Sequence, residues 1–273
     1  MKKYKFIYHY TNYVKLKNIL LSETIRFTSV DKSIDMNEYI CNKKSLFKED
    51  FKRFFNSIER RKFKKDDFYN LGENVETIYK NLDLINDINI SLYQFCTTYK
   101  ENSLYHWKEF AEEGYGGIIC FDYSSKSSNI FDSSFIWYEQ VYNWNGINKF
   151  FLSFFNDAKN ELWNIKDNVK PYLSYLFYEY CVYSKNYDYH KEKEIKIIYI
   201  LDEESDVTKS IVEKVTNEKE DYIVIKLNNF YPIHSVTIGK KVDEDQKKEL
   251  VKVINTKYKN VKVKYQKSMV NKR

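Results

Sequence analysis

Glycine and proline are scarce, six and two residues in a chain of 273. Turns must therefore rest on Asn, Asp and Ser. No glycine-rich dinucleotide loop and no phosphate-binding loop is present. The four cysteines, at positions 41, 96, 120 and 181, form no C-x-x-C pair. That spread points to reduced thiols in a cytosolic protein rather than to a disulfide framework. No window is apolar and uncharged for long enough to cross a bilayer, so no membrane partner is expected. The N-terminal lysines are followed by no long apolar run, which argues against a secretory signal. His106, His190 and His234 lack metal-ligand spacing among themselves and with the cysteines, so no metal is expected.

What the chain does have is aromatic mass, 26 Tyr and 19 Phe, within an apolar fraction of 43%. That suffices for a sizeable core. The formal charge is +6, yet Lys257, Lys259, Lys262, Lys264, Lys267, Lys272 and Arg273 alone carry seven positive charges with no acid among them. The rest of the chain is therefore close to neutral. A basic tail over about 266–273 reads as solubilising or edge-protecting, with phosphate binding as the alternative.

Helical and strand patterns alternate along the chain. Residues 4–10 read as a strand, followed by Asn12 as N-cap of a short helix, and Ile25 to Thr28 as a second strand. Leu46 to Phe63 places its Phe and Leu residues on one helical face, and 75–85 reads as another helix. Leu92 to Thr98 suits a core strand. A helix over Asn102 to Glu113, stopped by Gly114, precedes a strand at 116–122. Ile136 to Tyr142 reads as a strand, and Ile147 to Trp163 and Tyr172 to Tyr183 as aromatic helices that fill a core. An acidic helix near 204–216, strands at Tyr222–Leu227 and Ser235–Ile238, a helix opened by Asp243 and a closing strand at Val261–Tyr265 complete the chain. The predicted architecture is α+β. It is a single domain over 1–273 with a mixed, largely antiparallel sheet of short strands, flanking helices and a helical insertion at about 143–184.

Residues 185–201 carry the most chemistry. Ile195 to Leu201 suits a buried strand, and Glu192 and Glu194 stand at its entrance. In extended chain, residues i and i+2 share a face, which would set two carboxylates side by side. Like charges that close raise at least one pKa unless a cation or a ligand hydroxyl intervenes. Lys185, Lys191, Lys193 and Lys196 could supply the cation. The alternative is a solvated, charge-mixed turn.

The ordered set of short motifs resembles a bacterial family known as domain-of-unknown-function family 2971. The matching residues are Tyr8-His9-Tyr10-Thr11, Phe27-Thr28, Met36-Asn37-Glu38, Leu104 and Trp107, and Gly114, Gly117 and Phe121. They continue with Lys185, Tyr189, Glu192, Glu194 and Lys196, and close with Ile233, Val236, Ile238 and Gly239. Tyr189 stands where that family often has Trp, Lys196 where it often has Arg, and Glu38 where it has Asp. Tyr105-His106-Trp107 replaces its commoner Met-Trp.

A looser resemblance, to ADP-ribosyltransferase domains, is the one that implies an activity. Those domains set a His or Arg on an early strand, a hydroxyl or aromatic residue on a middle strand and a Glu on a late strand. His9, the Thr97-Thr98-Tyr99 region and Glu194 fall in that order, and Glu192-x-Glu194 matches the Glu-x-Glu of some transferases. The resemblance implies NAD as substrate, with no metal, in a toxin or phage-defence effector. Glu194 would stabilise the ribosyl cation, Glu192 would face the acceptor and His9 would hold a ribose hydroxyl. Tyr8, Tyr10, Thr11, Thr28, Asn37, Glu38, Trp107 and Lys185 would line the ligand site. Tyr8–Thr11, Met36–Glu38, Trp107 and Lys185–Lys196 are then expected to meet around one polar pocket.

Each residue also has a plainer reading. His9 could be bonded to a nearby carbonyl, Asn37 and Glu38 could cap a helix, Trp107 and Phe110 could be core, and Lys185 could neutralise a glutamate. On those readings the chain is a non-catalytic ligand-sensing or protein-binding module. The acceptor, whether protein, nucleic acid or water, is not specified by the sequence.

Overall fold

A computed structural model of the chain describes residues 4–30, 40–60, 69–87, 92–124, 135–139, 143–160, 169–185, 187–200, 212–217 and 220–267. The chain divides into two compact units: Met1–Ser29, Leu92–Glu139 and Lys191–Arg273 form one, Val30–Ser91 and Gln140–His190 the other.

The first unit carries the sheet. Its strands are β1 (Phe6–Thr11), β2 (Thr24–Ser29), β3 (Leu92–Thr98), β4 (Gly117–Asp122), β5 (Phe135–Glu139), β6 (Glu194–Ile200), β7 (Val212–Thr216), β8 (Asp221–Lys226), β9 (Ile233–Ile238) and β10 (Lys262–Tyr265). The fold is α+β and the sheet is mixed and mostly antiparallel; β10 lies parallel to β9. One path runs β10-β9-β4-β1-β3-β2-β8-β7, and β6 joins β3 to β5. β3 is the branch point. One of its edges pairs along its whole length with β6, from Leu92 opposite Ile200 to Thr98 opposite Glu194. The other edge is shared: β1 meets it at Thr98, and β2 at Gln94 and Tyr93. Between those contacts β1 and β2 diverge, so the sheet forks at Phe95, Cys96 and Thr97.

Helix α1 (Tyr13–Ser22) starts where the Asn12 side chain accepts from the Lys15 amide at 2.8 Å. The helix Glu244–Lys257 starts the same way, with Asp243 accepting from the Gln246 amide at 2.8 Å. Leu16 and Leu20 from the first, and Leu250 and Ile254 from the second, join Ile7, Phe95, Ile119, Phe121, Ile195, Ile197 and Val236 in the main core, on one face of the sheet. A short helix, Leu104–Glu109, brings Trp107 to Tyr8, Tyr10, Ile118 and Cys120, which form a smaller cluster with Ala111 on the opposite face.

Four-residue β10 closes the sheet edge, and the Gln266 amide donates to the Ile238 carbonyl at 2.9 Å. Removing the residues after Lys267 is expected to leave the melting temperature unchanged, whereas removing 262–273 unpairs β9 and lowers it. Thermal melting of the two truncations checks this. An equal loss in both would show that the last six residues are structural.

The second unit is helical: α2 (Ile40–Arg60), α3 (Tyr69–Lys80), α5 (Trp144–Asn160) and α6 (Val169–Tyr183), counting Leu104–Glu109 as α4 and Glu244–Lys257 as α7. Phe47, Phe51, Phe151, Phe155, Phe177 and Tyr180 are almost fully buried within it, so the aromatic stripes are core. The helical segment expected over 143–184 thus lies in a unit that also takes α2 and α3 from Val30–Ser91. Lys43 is buried there and donates to the Ser184 carbonyl and, at 3.1 Å, to its hydroxyl.

One expected helix differs. Val212–Thr216 is a strand, paired from Val212 opposite Ile225 to Thr216 opposite Asp221. Its β-branched Val212, Val215 and Thr216 suit an edge partner for β8, and this pairing outweighs helix propensity. Residues 201–211 lie outside the described set.

Candidate functional site

Paired residues directly opposite each other in a sheet point to the same face. Tyr8 faces Thr98 across β1 and β3, and Thr98 faces Glu194 across β3 and β6. Tyr8, Thr98 and Glu194 therefore form one row on the face covered by α4, with Tyr8 and Glu194 about 10 Å apart at two strand spacings. Lys196 follows Glu194 on that face, opposite Cys96. Glu192, Glu194 and Lys196 are all buried, at 9, 5 and 1% exposure. Cys96 is exposed although β3 is a central strand, so the face is open to solvent above it.

The turn that presents Glu194 is held by three side chains. Tyr187–Glu192 is a 3-10 turn, and Lys193 follows in the left-handed region at φ 45°. The His106 Nε2 lies 2.6 Å from the Glu192 carbonyl, and the Thr98 hydroxyl donates to the Lys193 carbonyl at 2.9 Å. The Thr97 hydroxyl donates to the Ile195 carbonyl at 3.0 Å. A non-glycine residue in that backbone region costs about 1–3 kcal/mol, which these donors offset. Glu192 and Glu194 therefore do not share a strand face. Glu192 ends a 3-10 turn and the left-handed Lys193 separates it from the start of β6, so the extended spacing expected of the pair does not apply.

His9 is also placed differently from its neighbours. Tyr8 and Tyr10 stand on the α4 face, so His9 and Thr11 stand on the other. The His9 ring lies 4.4 Å from the Phe95 ring, and its Nδ1 is 3.0 Å from the Cys96 carbonyl. A carbonyl only accepts, so Nδ1 carries the hydrogen and Nε2 the lone pair. The bond meets the main chain of β3 between its contacts with β1 and β2. Burial pushes the imidazole down to about 4, against that hydrogen bond; the Lys15 cation lowers it further. The unfolded ring titrates near 6.5. The folded state thus resists protonation: the contribution is complete above pH ~6.5 and is lost as pH falls towards 4. Wild type is expected to lose roughly 2 kcal/mol more stability than His9→Gln between pH 7 and pH 4, the half-buried ring tempering the full shift. Denaturant titrations at both pH values check this, and parallel profiles would refute it.

The β1 tyrosines organise the loop before α4. The Tyr10 hydroxyl donates to the Glu101 carbonyl at 2.6 Å and accepts from the Ser103 amide at 3.2 Å. Burial raises its pKa to about 12. Burial also raises the Tyr8 phenol strongly, and the nearby Cys120 and Glu101 add to the shift. Cys120, pushed up to about 11 by burial, is an inert thiol at neutral pH.

The expected site residues thus separate. Tyr8, Tyr10, Trp107 and Glu194 gather on the α4 face, and Glu192 is tied to α4 through its carbonyl. Thr28 stands exposed on the same face, opposite Gln94. His9 and Thr11 belong to the opposite face. Lys185 lies in the helical unit with its Nζ 5.1 Å from the Tyr189 ring centroid. Asn37 and Glu38 lie outside the described residues. Phe110, expected in the core, is 42% exposed at the C-terminus of α4. The residue passed over is His106, buried at 3% exposure. Its position beside Trp107, in a short helix capped by Ser103, was the available signal.

Among the described residues, no group of His, Cys, Asp and Glu could hold a metal ion, and no helix is long and apolar enough to cross a membrane. Comparison with protein-family models, curated proteins and solved structures finds no match to this chain.

Proposed function

We propose that the chain is an ADP-ribosyltransferase-like enzyme acting on NAD, with Glu194 at its centre. The observation that carries this reading is the row Glu194–Thr98–Tyr8: a buried carboxylate on a clamped turn, in line with a buried tyrosine on the α4 face, which reaches solvent at Cys96. In the reaction, the bond between ribose C1′ and the nicotinamide nitrogen breaks, and its electron pair leaves with nicotinamide. The Glu194 carboxylate stabilises the positive charge that develops at C1′. The acceptor forms the new bond to C1′, and its proton passes to Glu192 or to water. His9 contributes through its free Nε2 only if the ligand enters the fork, since its Nδ1 is engaged.

A second reading, a non-catalytic ligand-sensing module, is favoured by Lys196, which is buried on the same strand face as Glu194. Buried charges of opposite sign side by side form a structural network without any ligand. Nicotinamide release from NAD by the wild-type protein, with water, protein and nucleic acid offered as acceptors, separates the two. Protein that neither binds nor consumes NAD ends the enzyme reading.

A further inference from the structure

Two polar atoms on α4 stand out as buried and unsatisfied. Among the described residues, neither His106 Nδ1 nor Trp107 Nε1 has a hydrogen-bond partner, although the residues are only 3 and 1% exposed. Their chemistry is opposite. His106 Nε2 faces the Glu192 carbonyl at 2.6 Å, so that nitrogen carries the hydrogen. The neutral ring then offers a lone pair at Nδ1, and burial favours the neutral ring. The Trp107 indole N–H can only donate. Both rings flank Tyr10, with centroids 5.0 and 5.7 Å from the Tyr10 ring. Leaving each group unpaired costs about 1–3 kcal/mol, a cost that a partner would remove.

We propose that His106 and Trp107 receive the edge of a planar amide, a primary carboxamide or a nucleobase, which donates to His106 Nδ1 and accepts from Trp107 Nε1–H. The complementarity selects a class. A carboxylate offers only acceptors and meets the His106 lone pair. An ammonium offers only donors and meets the indole N–H. An amide edge carries one of each. His106 Nε2 meets the carbonyl of Glu192, two residues before Glu194, so the amide would bind against the turn that presents the carboxylate assigned to the ribosyl centre. The inference rests on the NAD reading for the ligand's identity, with the carboxamide of the leaving nicotinamide as the group bound, and not for the recognition itself.

The test uses the 15N-labelled full chain, with the Trp107 indole resonance identified by its absence in Trp107→Phe. Nicotinamide, nicotinate and adenine are titrated separately. Nicotinamide is expected to move the Trp107 indole and His106 ring resonances together, nicotinate to move neither, and Trp107→Phe to weaken nicotinamide binding roughly tenfold, the loss of about one hydrogen bond. Adenine moving both in place of nicotinamide supports the amide edge and assigns it to the nucleobase. Unmoved resonances with all three ligands, equal binding of nicotinate, or a buried water only at these atoms overturns the inference. NAD turnover with both resonances unmoved overturns the inference and leaves the enzyme reading standing. Nicotinamide bound here with NAD never consumed does the reverse. The wild-type titration decides the matter even if Trp107→Phe fails to fold.

Discussion

Glu194→Gln is expected to lower nicotinamide release from NAD by about a hundredfold or more, with little change in melting temperature. Gln preserves the shape and most hydrogen bonds of the side chain but removes the charge that opposes the developing ribosyl cation. Glu192→Gln is expected to spare hydrolysis and weaken transfer to the acceptor. The geometry sharpens this contrast: Glu192 ends a 3-10 turn and Glu194 begins β6, with the left-handed Lys193 between them. The two glutamates sit in different backbone settings, so their carboxylates are not expected to be interchangeable. A purely structural cluster predicts the opposite pattern. Removing the Glu194 charge beside buried Lys196 would then shift stability by several kcal/mol, while NAD chemistry would be absent in wild type and variant alike. Nicotinamide release measured alongside thermal melting for all three proteins decides between them.

Gly239→Ala is expected to destabilise the protein by about 3 kcal/mol or more, lowering the melting temperature by roughly 10 °C. A Cβ at position 239 would lie 2.6 Å from the Gly116 carbonyl oxygen and closer still to that of Gly114. Both obstacles are backbone, so neither can rotate away. The Gly239 amide donates to the Gly116 carbonyl and the Lys241 amide to the Gly114 carbonyl, each at 2.9 Å. The added methyl would break this junction, which joins the end of β9 to the turn before β4. Circular dichroism melts of wild type and variant measure the effect. A change below 1 kcal/mol would mean that the junction is pliable.

Much of the local structure was legible because it depends on near neighbours. Asn12 and Asp243 cap their helices because a short oxygen-bearing side chain satisfies amides three residues on. Leu92 to Thr98 forms the central strand with the bounds its composition implies. Gly114 is needed for its left-handed φ of 102°, and Gly117 and Gly239 where other backbone segments approach too closely for a side chain, although a single sequence cannot say which segments those are. The motif residues Tyr8, Tyr10, Trp107 and Glu194 do share one face. His106 is not legible in the sequence because its partner is a distant carbonyl, which no local spacing encodes.

By itself, then, the sequence determined the α+β class, the starts of the helices capped by Asn12 and Asp243, the apolar stripes and the buried character of the strand after Glu194. These follow from periodicity and capping, which act over a few residues. Only the tertiary structure decided which carboxylates and rings share a face. A left-handed Lys193, paid for by donors from β3 and α4, separates Glu192 from Glu194. At the fork in the sheet the Cys96 carbonyl meets His9, which stands on the face opposite Tyr8. Both outcomes depend on contacts between segments about 90 residues apart. No local pattern encodes those pairings, because register and chain direction at a site depend on the segments that meet there.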